Sequence, residues 1–367
     1  MLLFKGPRDQ FLAPLQSVSG IVEKRHTLPI LSNVLIEKAG ENLTLLATDI
    51  EIQIRTTAAG AGSESTAITV GARKLQDILR SLPESAEVSL TLEEKRLQLK
   101  AGKSRFNLQT LPPEDFPRVA EAEGQSAKVK LSQKQFKRLL ALVQYAMAQQ
   151  DIRYYLNGLL VIVAGREIRV VATDGHRLAY AAETLDEDFP RTEVILPRKT
   201  VLELSRQLGD NDDPLEIALA PTQAKFTFGN IELVSKLIDG KFPDYERVIP
   251  QGHGKVLKLD RALLHQSLQR AAILTNEKFR GVRLVLENNA LKIMSTNAEQ
   301  EDAQEEIEVA YDAELLDIGF NVTYLLDVLN NISTDVIELR LTDANSSALF
   351  VLPDNERFKY VVMPMRI

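Results

Sequence analysis

The sequence contains itself three times, and a long internal repeat restricts the possible folds more than composition can. Asn33-Val34-Leu35-Ile36, followed by Leu43-Thr44-Leu45-Leu46-Ala47-Thr48-Asp49, is matched by Asn157-Gly158-Leu159-Leu160-Val161 and Ile168-Arg169-Val170-Val171-Ala172-Thr173-Asp174. A third copy reads Val282-Arg283-Leu284-Val285-Leu286, then Leu291-Lys292-Ile293-Met294-Ser295-Thr296-Asn297. Asp49 and Asp174 lie 125 residues apart, Asp174 and Asn297 lie 123 apart, and Phe116-Pro117 matches Phe242-Pro243 at 126. Collinear matches at a nearly constant offset give three homologous domains, 1–118, 128–249 and 250–367. The polar stretch 118–127 is the linker, and the second boundary falls near Pro250-Gln251-Gly252.

Periodicity gives each repeat the same element order. An amphipathic helix comes first: Ser132 caps Phe136, Leu139, Leu140, Val143 and Met147, and Asp260 caps Leu263, Leu264, Leu268 and Ile273. Alternating strands follow, turning at Ala39-Gly40, Ala164-Gly165 and Asn288-Asn289. A second helix (73–82, 199–208 and 322–332) precedes further strands. The fold class is α+β, with two helices and roughly eight strands per repeat.

Several chemistries are absent. With no cysteine, the chain has no disulfide, thiolate metal site or Cys nucleophile. His26, His176, His253 and His265 are scattered, and no phosphate loop or nucleophile elbow occurs. Asp174-Gly175-His176 could pair a base with a carboxylate; the competing reading is a tight turn at a strand end. We expect no enzyme, metal or cofactor. No apolar run is long enough for a signal peptide or a membrane span, so a cytoplasmic protein is expected.

The net charge of −7 is unevenly spread. The thirds 1–125, 126–250 and 251–367 hold 15, 17 and 12 bases against 16, 17 and 18 acids. The last third carries Glu299, Glu301, Asp302, Glu305, Glu306 and Glu308 without an intervening base, whereas the first carries Lys95, Arg96, Lys100, Lys103 and Arg105, ending at Phe106. These are either two unrelated solvated faces or the halves of a head-to-tail contact. Bases also recur on the helices, as Arg73-Lys74 and Arg80, Lys134, Lys137 and Arg138, and Arg198-Lys199 and Arg206. They are either wet helix faces or a shared surface for phosphate oxygens, which would bind without reading sequence.

The longest motifs resemble the bacterial DNA polymerase III beta subunit, the sliding-clamp family. They are Thr27-Leu28-Pro29-Ile30-Leu31-Ser32-Asn33, Gln150-Asp151-Ile152-Arg153-Tyr154-Tyr155-Leu156-Asn157-Gly158, Ala172-Thr173-Asp174-Gly175-His176-Arg177-Leu178, Phe242-Pro243-Asp244-Tyr245, Thr275-Asn276-Glu277-Lys278 and Tyr360-Val361-Val362-Met363-Pro364-Met365-Arg366-Ile367. The resemblance implies a homodimeric, six-domain ring encircling duplex DNA without sequence specificity, twelve helices lining its hole. It also implies DNA polymerase III subunits, a clamp loader and other proteins with clamp-binding motifs as partners, and no membrane.

The same resemblance assigns residues. A partner-peptide pocket falls on Leu156, Thr173, Gly175, His176, Arg177, Leu178, Pro243, Arg247, Val248, Ser347, Val361, Met363, Pro364, Met365 and Arg366; its Leu, Val, Pro and Met content suits an adaptable apolar groove. DNA contacts fall on Arg25, Arg73, Gln150, Tyr154, Tyr155 and Lys199, to which helix position adds Arg80, Arg198 and Arg206. The dimer contact sets Phe106 against Ile273 and Leu274, with Lys74, Arg96, Lys103 and Arg105 near Glu299, Glu301, Asp302 and Glu305. Gly71, Ala298, Gln304 and Ile367 depart from the family pattern, and Ala298 and Gln304 leave the ion-pair list open. A peptide-binding scaffold that encircles nothing remains the alternative.

Overall fold

The computed structural model describes every residue except 24–27, 121, 123, 125, 126 and 253. Among the described residues are six α-helices, two per repeat: α1 (Arg8–Ser19), α2 (Ala72–Ser81), α3 (Gln133–Val143), α4 (Arg198–Gln207), α5 (Arg261–Ala272) and α6 (Val322–Asn331). The Asp260 carboxylate caps α5 by accepting from the Leu263 N–H at 2.7 Å, and Asn321 caps α6 through Thr323. Two positions expected on the buried face of α5 differ. Leu263 is exposed, and Ile273 follows the helix and is 77% exposed.

The chain divides into two compact units, Met1–Lys134 with Leu202–Leu237, and Gln135–Val201 with Ile238–Ile367. The first holds a twelve-stranded sheet in which Ile52–Ala59 of the first repeat pairs antiparallel with Ile231–Lys236 of the second. The second holds a six-stranded sheet, in which Arg177–Pro197 of the second repeat pairs with Asn355–Val362 of the third, and a four-stranded sheet edged by Asp302–Glu308. Sheets therefore run across repeat boundaries, and the middle repeat is shared between the units. Among the described residues the first and third repeats each carry eight strands. The second carries six, because Gly158–Thr173 and Arg177–Pro197 are each continuous and pair along nearly their whole length. Their register breaks beside Gly165, whose φ of +58° suits glycine.

The Thr-Asp landmark has a physical basis. Thr48 Oγ1 donates to Ile52 O at 2.8 Å and accepts from the Ile50 N–H, while Asp49 Oδ1 accepts from the N–H groups of Glu51 and Ile52. In the second repeat Thr173 Oγ1 donates to Arg177 O at 2.6 Å and accepts from the Gly175 N–H, and Asp174 Oδ1 accepts from the N–H groups of His176 and Arg177. The two side chains fold the turn between paired strands.

Candidate functional site

Beside that second turn lies a cavity of about 370 Å³, wholly within the second unit. Its lining includes Leu156, Thr173, Gly175, His176, Arg177, Leu178, Pro243, Val248, Ser347, Val361 and Met363, all named from the sequence. Arg153, Phe242 and Tyr245 line it as well and were not named. Arg247, Pro364, Met365 and Arg366 are not among its lining residues. Arg247 instead pairs with Asp244 at 2.8 Å, and the tail beyond Met363 runs along another strand. The floor is apolar because Leu156, Leu178, Phe242, Tyr245 and Val361 belong to one buried cluster.

Backbone bonds hold the tail. The Met363 N–H donates to His176 O at 2.9 Å and the Met365 N–H to Gly319 O at 2.8 Å. On the other wall, Arg153 donates to both oxygens of Asp151 and to Asp174 O. The hydrogen bond from Arg153 draws the Asp151 carboxyl down to about 2.

Arg177 has the most crowded environment in the site. Its side chain is 10% exposed; Nε donates to Asp174 Oδ2 at 3.1 Å, Nη1 to Asp327 Oδ2 at 2.5 Å, and Nη2 to Tyr145 O at 2.7 Å. The guanidinium lies 4.4 Å from the Tyr324 ring centroid. Burial opposes its charge, but Tyr360 and the hydrogen-bonded Asp327 carboxylate outweigh that cost and raise its pKa above the ordinary arginine value. Burial pushes up the Tyr145 hydroxyl, which has no hydrogen-bond partner.

The residues named for DNA fall in both units. In the first, Arg73 and Arg80 are exposed on α2, and Arg73 donates to Val22 O at 2.7 Å. Arg206 is held by Glu203 at 2.5 Å, so its charge is already neutralised. In the second, Gln150 and Tyr154 are exposed and Tyr155 is half-buried, with the two rings edge to face at 5.7 Å. Arg198 and Lys199 begin α4 half-buried, and Arg198 donates to Met147 O. Arg25 lies outside the described residues, as do His26 and His253.

The residues named for dimer contact lie along two strand edges. Ser104–Leu111 pairs with Arg96–Ala101 on one side, but on the other pairs with Thr66–Gly71 only at Thr110 and Leu111. Lys103 and Arg105 are exposed there, as are Arg96 on the neighbouring strand and Lys74 on α2, while Phe106 is half-buried. In the second unit Asp302–Glu308 is the edge of its sheet, with Glu299, Glu301 and Asp302 exposed and Leu274 half-buried. Two of the acids have partners within the chain: Glu301 accepts from Asn297 Nδ2 at 2.6 Å, and Glu305 takes both Nε and Nη2 of Arg270.

Comparison with known proteins accounts for the repeats. Residues 2–120, 130–244 and 246–366 match the N-terminal, central and C-terminal domains of the DNA polymerase III beta subunit. The chain is 49% identical to the beta sliding clamp of Pseudomonas aeruginosa over 365 residues, covering 98% of each. It is 45% identical to that of Escherichia coli K12, covering 99% of this chain and all of the other. A crystal structure of the P. aeruginosa clamp bound to griselimycin superposes with a TM-score of 0.96 at 48% identity, covering both chains completely, and the Caulobacter crescentus clamp with 0.93 at 39%. Likeness at this level, over every repeat and the whole length, places the chain in the DNA polymerase III beta subunit family, the bacterial sliding clamps that serve as DNA polymerase processivity factors.

Proposed function

We propose that two copies of this chain close head to tail into a ring around duplex DNA, in the cytoplasm, and that the cavity beside Arg177 takes peptide segments of polymerase and other replication proteins. One observation carries the ring. The first repeat joins the second, and the second joins the third, through antiparallel pairing of equivalent strands. The remaining equivalents are Asp302–Glu308, a sheet edge, and Ser104–Leu111, paired on its second side only at Thr110 and Leu111; they are left open along the rest of their length, and they carry opposite charge. A second copy satisfies both by the same rule, and a heterologous contact whose rotation closes after two copies makes a ring. Carrying the register Ile54↔Leu233 and Thr56↔Ile231 through the repeat offsets sets Asp302 opposite Asn107 and Gln304 opposite Arg105.

Enclosure also fits the weak, scattered cations. Bases tied to carbonyls or carboxylates make loose phosphate contacts, which permit sliding. The Asp174 carboxylate is taken up by backbone N–H groups and Arg177, which supports a non-catalytic role for the Asp174-Gly175-His176 turn. The test is topological. Loaded protein should stay on nicked circular DNA through gel filtration and leave once the circle is linearised; equal retention on both forms overturns the ring.

A further inference from the structure

We infer that Asp327, which does not line the cavity, is a positioning residue that sets the shape of the partner pocket through Arg177. This rests on the pocket reading above. Arg177 is both a wall of the cavity and a buried cation, so whatever fixes its guanidinium fixes that wall. It has two carboxylate partners. Asp174 lies on the same turn and moves with it, and its other oxygen is occupied by the N–H groups of His176 and Arg177. Asp327 comes from α6 of the third repeat, 150 residues away, and approaches the opposite side of the guanidinium at 2.5 Å. Two more groups of the third repeat surround the cation: the Tyr324 ring beneath it, and the Tyr360 hydroxyl, which lies 3.4 Å from Nη1 and donates to Tyr324 O.

Asp327 is therefore the charged tie between a pocket wall built by the second repeat and the helix of the third. Residues of both repeats line the cavity, Thr173 to Leu178 from one and Ser347, Val361 and Met363 from the other. Releasing the tie leaves Arg177 with Asp174 and the Tyr145 carbonyl of the second repeat, and from the third repeat only the uncharged Tyr324 ring and the Tyr360 hydroxyl. The cation is then held less firmly and its Nη1 is incompletely paired, which lets it shift towards the cavity and disturb the apolar wall.

The experiment is calorimetric titration of the full-length protein with griselimycin, the ligand of the P. aeruginosa clamp structure, which the pocket reading assigns to this cavity. Asp327→Asn keeps the shape and removes the charge, and it should weaken binding about tenfold, within the coupling range of contacting residues. Asp327→Glu should recover most of the loss, a rescue that generic damage to α6 would not give. In an Arg177→Ala background, Asp327→Asn should have no further effect. Wild-type affinity in Asp327→Asn, or an equal loss in both backgrounds, overturns the inference. If the wild-type protein itself fails to bind griselimycin, the pocket reading fails. The tie is then judged by hydrogen exchange at residues 174–178, which Asp327→Asn should accelerate and Asp327→Glu should not; unchanged exchange refutes it.

Discussion

Gly319→Ala should detach the C-terminal tail from its strand and leave the sheet core intact. Gly319 sits in the strand Leu316–Asn321, opposite Arg283, without the positive φ that would make alanine intrinsically costly. A Cβ built there falls against the Met365 carbonyl oxygen, far inside the 3.0 Å below which real Cβ atoms do not come, and also crowds Ile367 Cδ1 at 2.8 Å. The obstacle is backbone, so rotation cannot relieve it, and the tail must move away. That movement breaks the bond from the Met365 N–H to Gly319 O, now 2.8 Å. One such bond contributes about 1 kcal/mol net. The Met363 N–H remains on His176 O, so the pocket loses one of two backbone anchors on its tail wall. If the lost bond is fully coupled to a ligand in the cavity, affinity for that ligand falls about fivefold. Gly281→Ala is the internal control, because its Cβ meets only side-chain atoms, Ile367 Cδ1 at 3.0 Å and Cγ1 at 3.2 Å, which can rotate. Hydrogen exchange at Met365 and trimming by carboxypeptidase should both accelerate strongly in Gly319→Ala and weakly in Gly281→Ala. Equal behaviour of the two variants, or a tail as protected as in the wild type, would refute the steric reasoning.

Asn107→Cys combined with Asp302→Cys should give a covalent dimer under mild oxidation, cleanly because the chain has no native cysteine; a monomer on non-reducing gels would reject the proposed register. The Asp151 carboxyl, held down to about 2 by Arg153, should titrate by carbon-detected NMR with a midpoint near that value. Its folded pKa is depressed, so the pair's contribution is present above the unfolded value of about 3.9 and lost as pH falls towards the folded one. An ordinary midpoint would show that the pair does not form in solution. Tyr145→Phe removes a buried hydroxyl with no partner, and the melting temperature should hold or rise, by the equivalent of up to about 1 kcal/mol. A fall of that size would reveal a partner for the hydroxyl.

The sequence showed the local devices clearly and the long-range ones poorly. Thr48-Asp49 and Thr173-Asp174 stood out because one turn needs both side chains, yet the residue after each Asp is left-handed, with Ile50 at φ +80° where the second repeat has Gly175 at +88°. Nothing in the pattern marks a β-branched residue as bearing that strain. Arg206 was read as a phosphate contact, although Glu203 stands three positions earlier on the same helix, the spacing at which helical ion pairs form. Phe242 was a repeat landmark, but its role in the pocket depends on strands contributed by both repeats. Asp327 gave no signal at all, because the cation it holds lies on another repeat.

The acidic run is where local reading and structure together change the chemistry. Counted along the chain, its six acids look equally ready for a basic partner. In the folded unit Glu305 is neutralised by Arg270, whose hydrogen bond holds its carboxyl below the usual glutamate range, and Glu301 is engaged by Asn297. A second copy would have to displace Arg270 to use Glu305, exchanging one exposed pair for another with little net gain. Steering towards Arg96, Lys103 and Arg105 therefore falls mainly to Glu299, Asp302, Glu306 and Glu308, which are exposed. In the proposed ring, strand pairing and the burial of Phe106 against Ile273 and Leu274 would then supply most of the affinity. Added salt should accordingly slow association more than it weakens the assembled ring, since screening acts on exposed charges and leaves apolar burial in place.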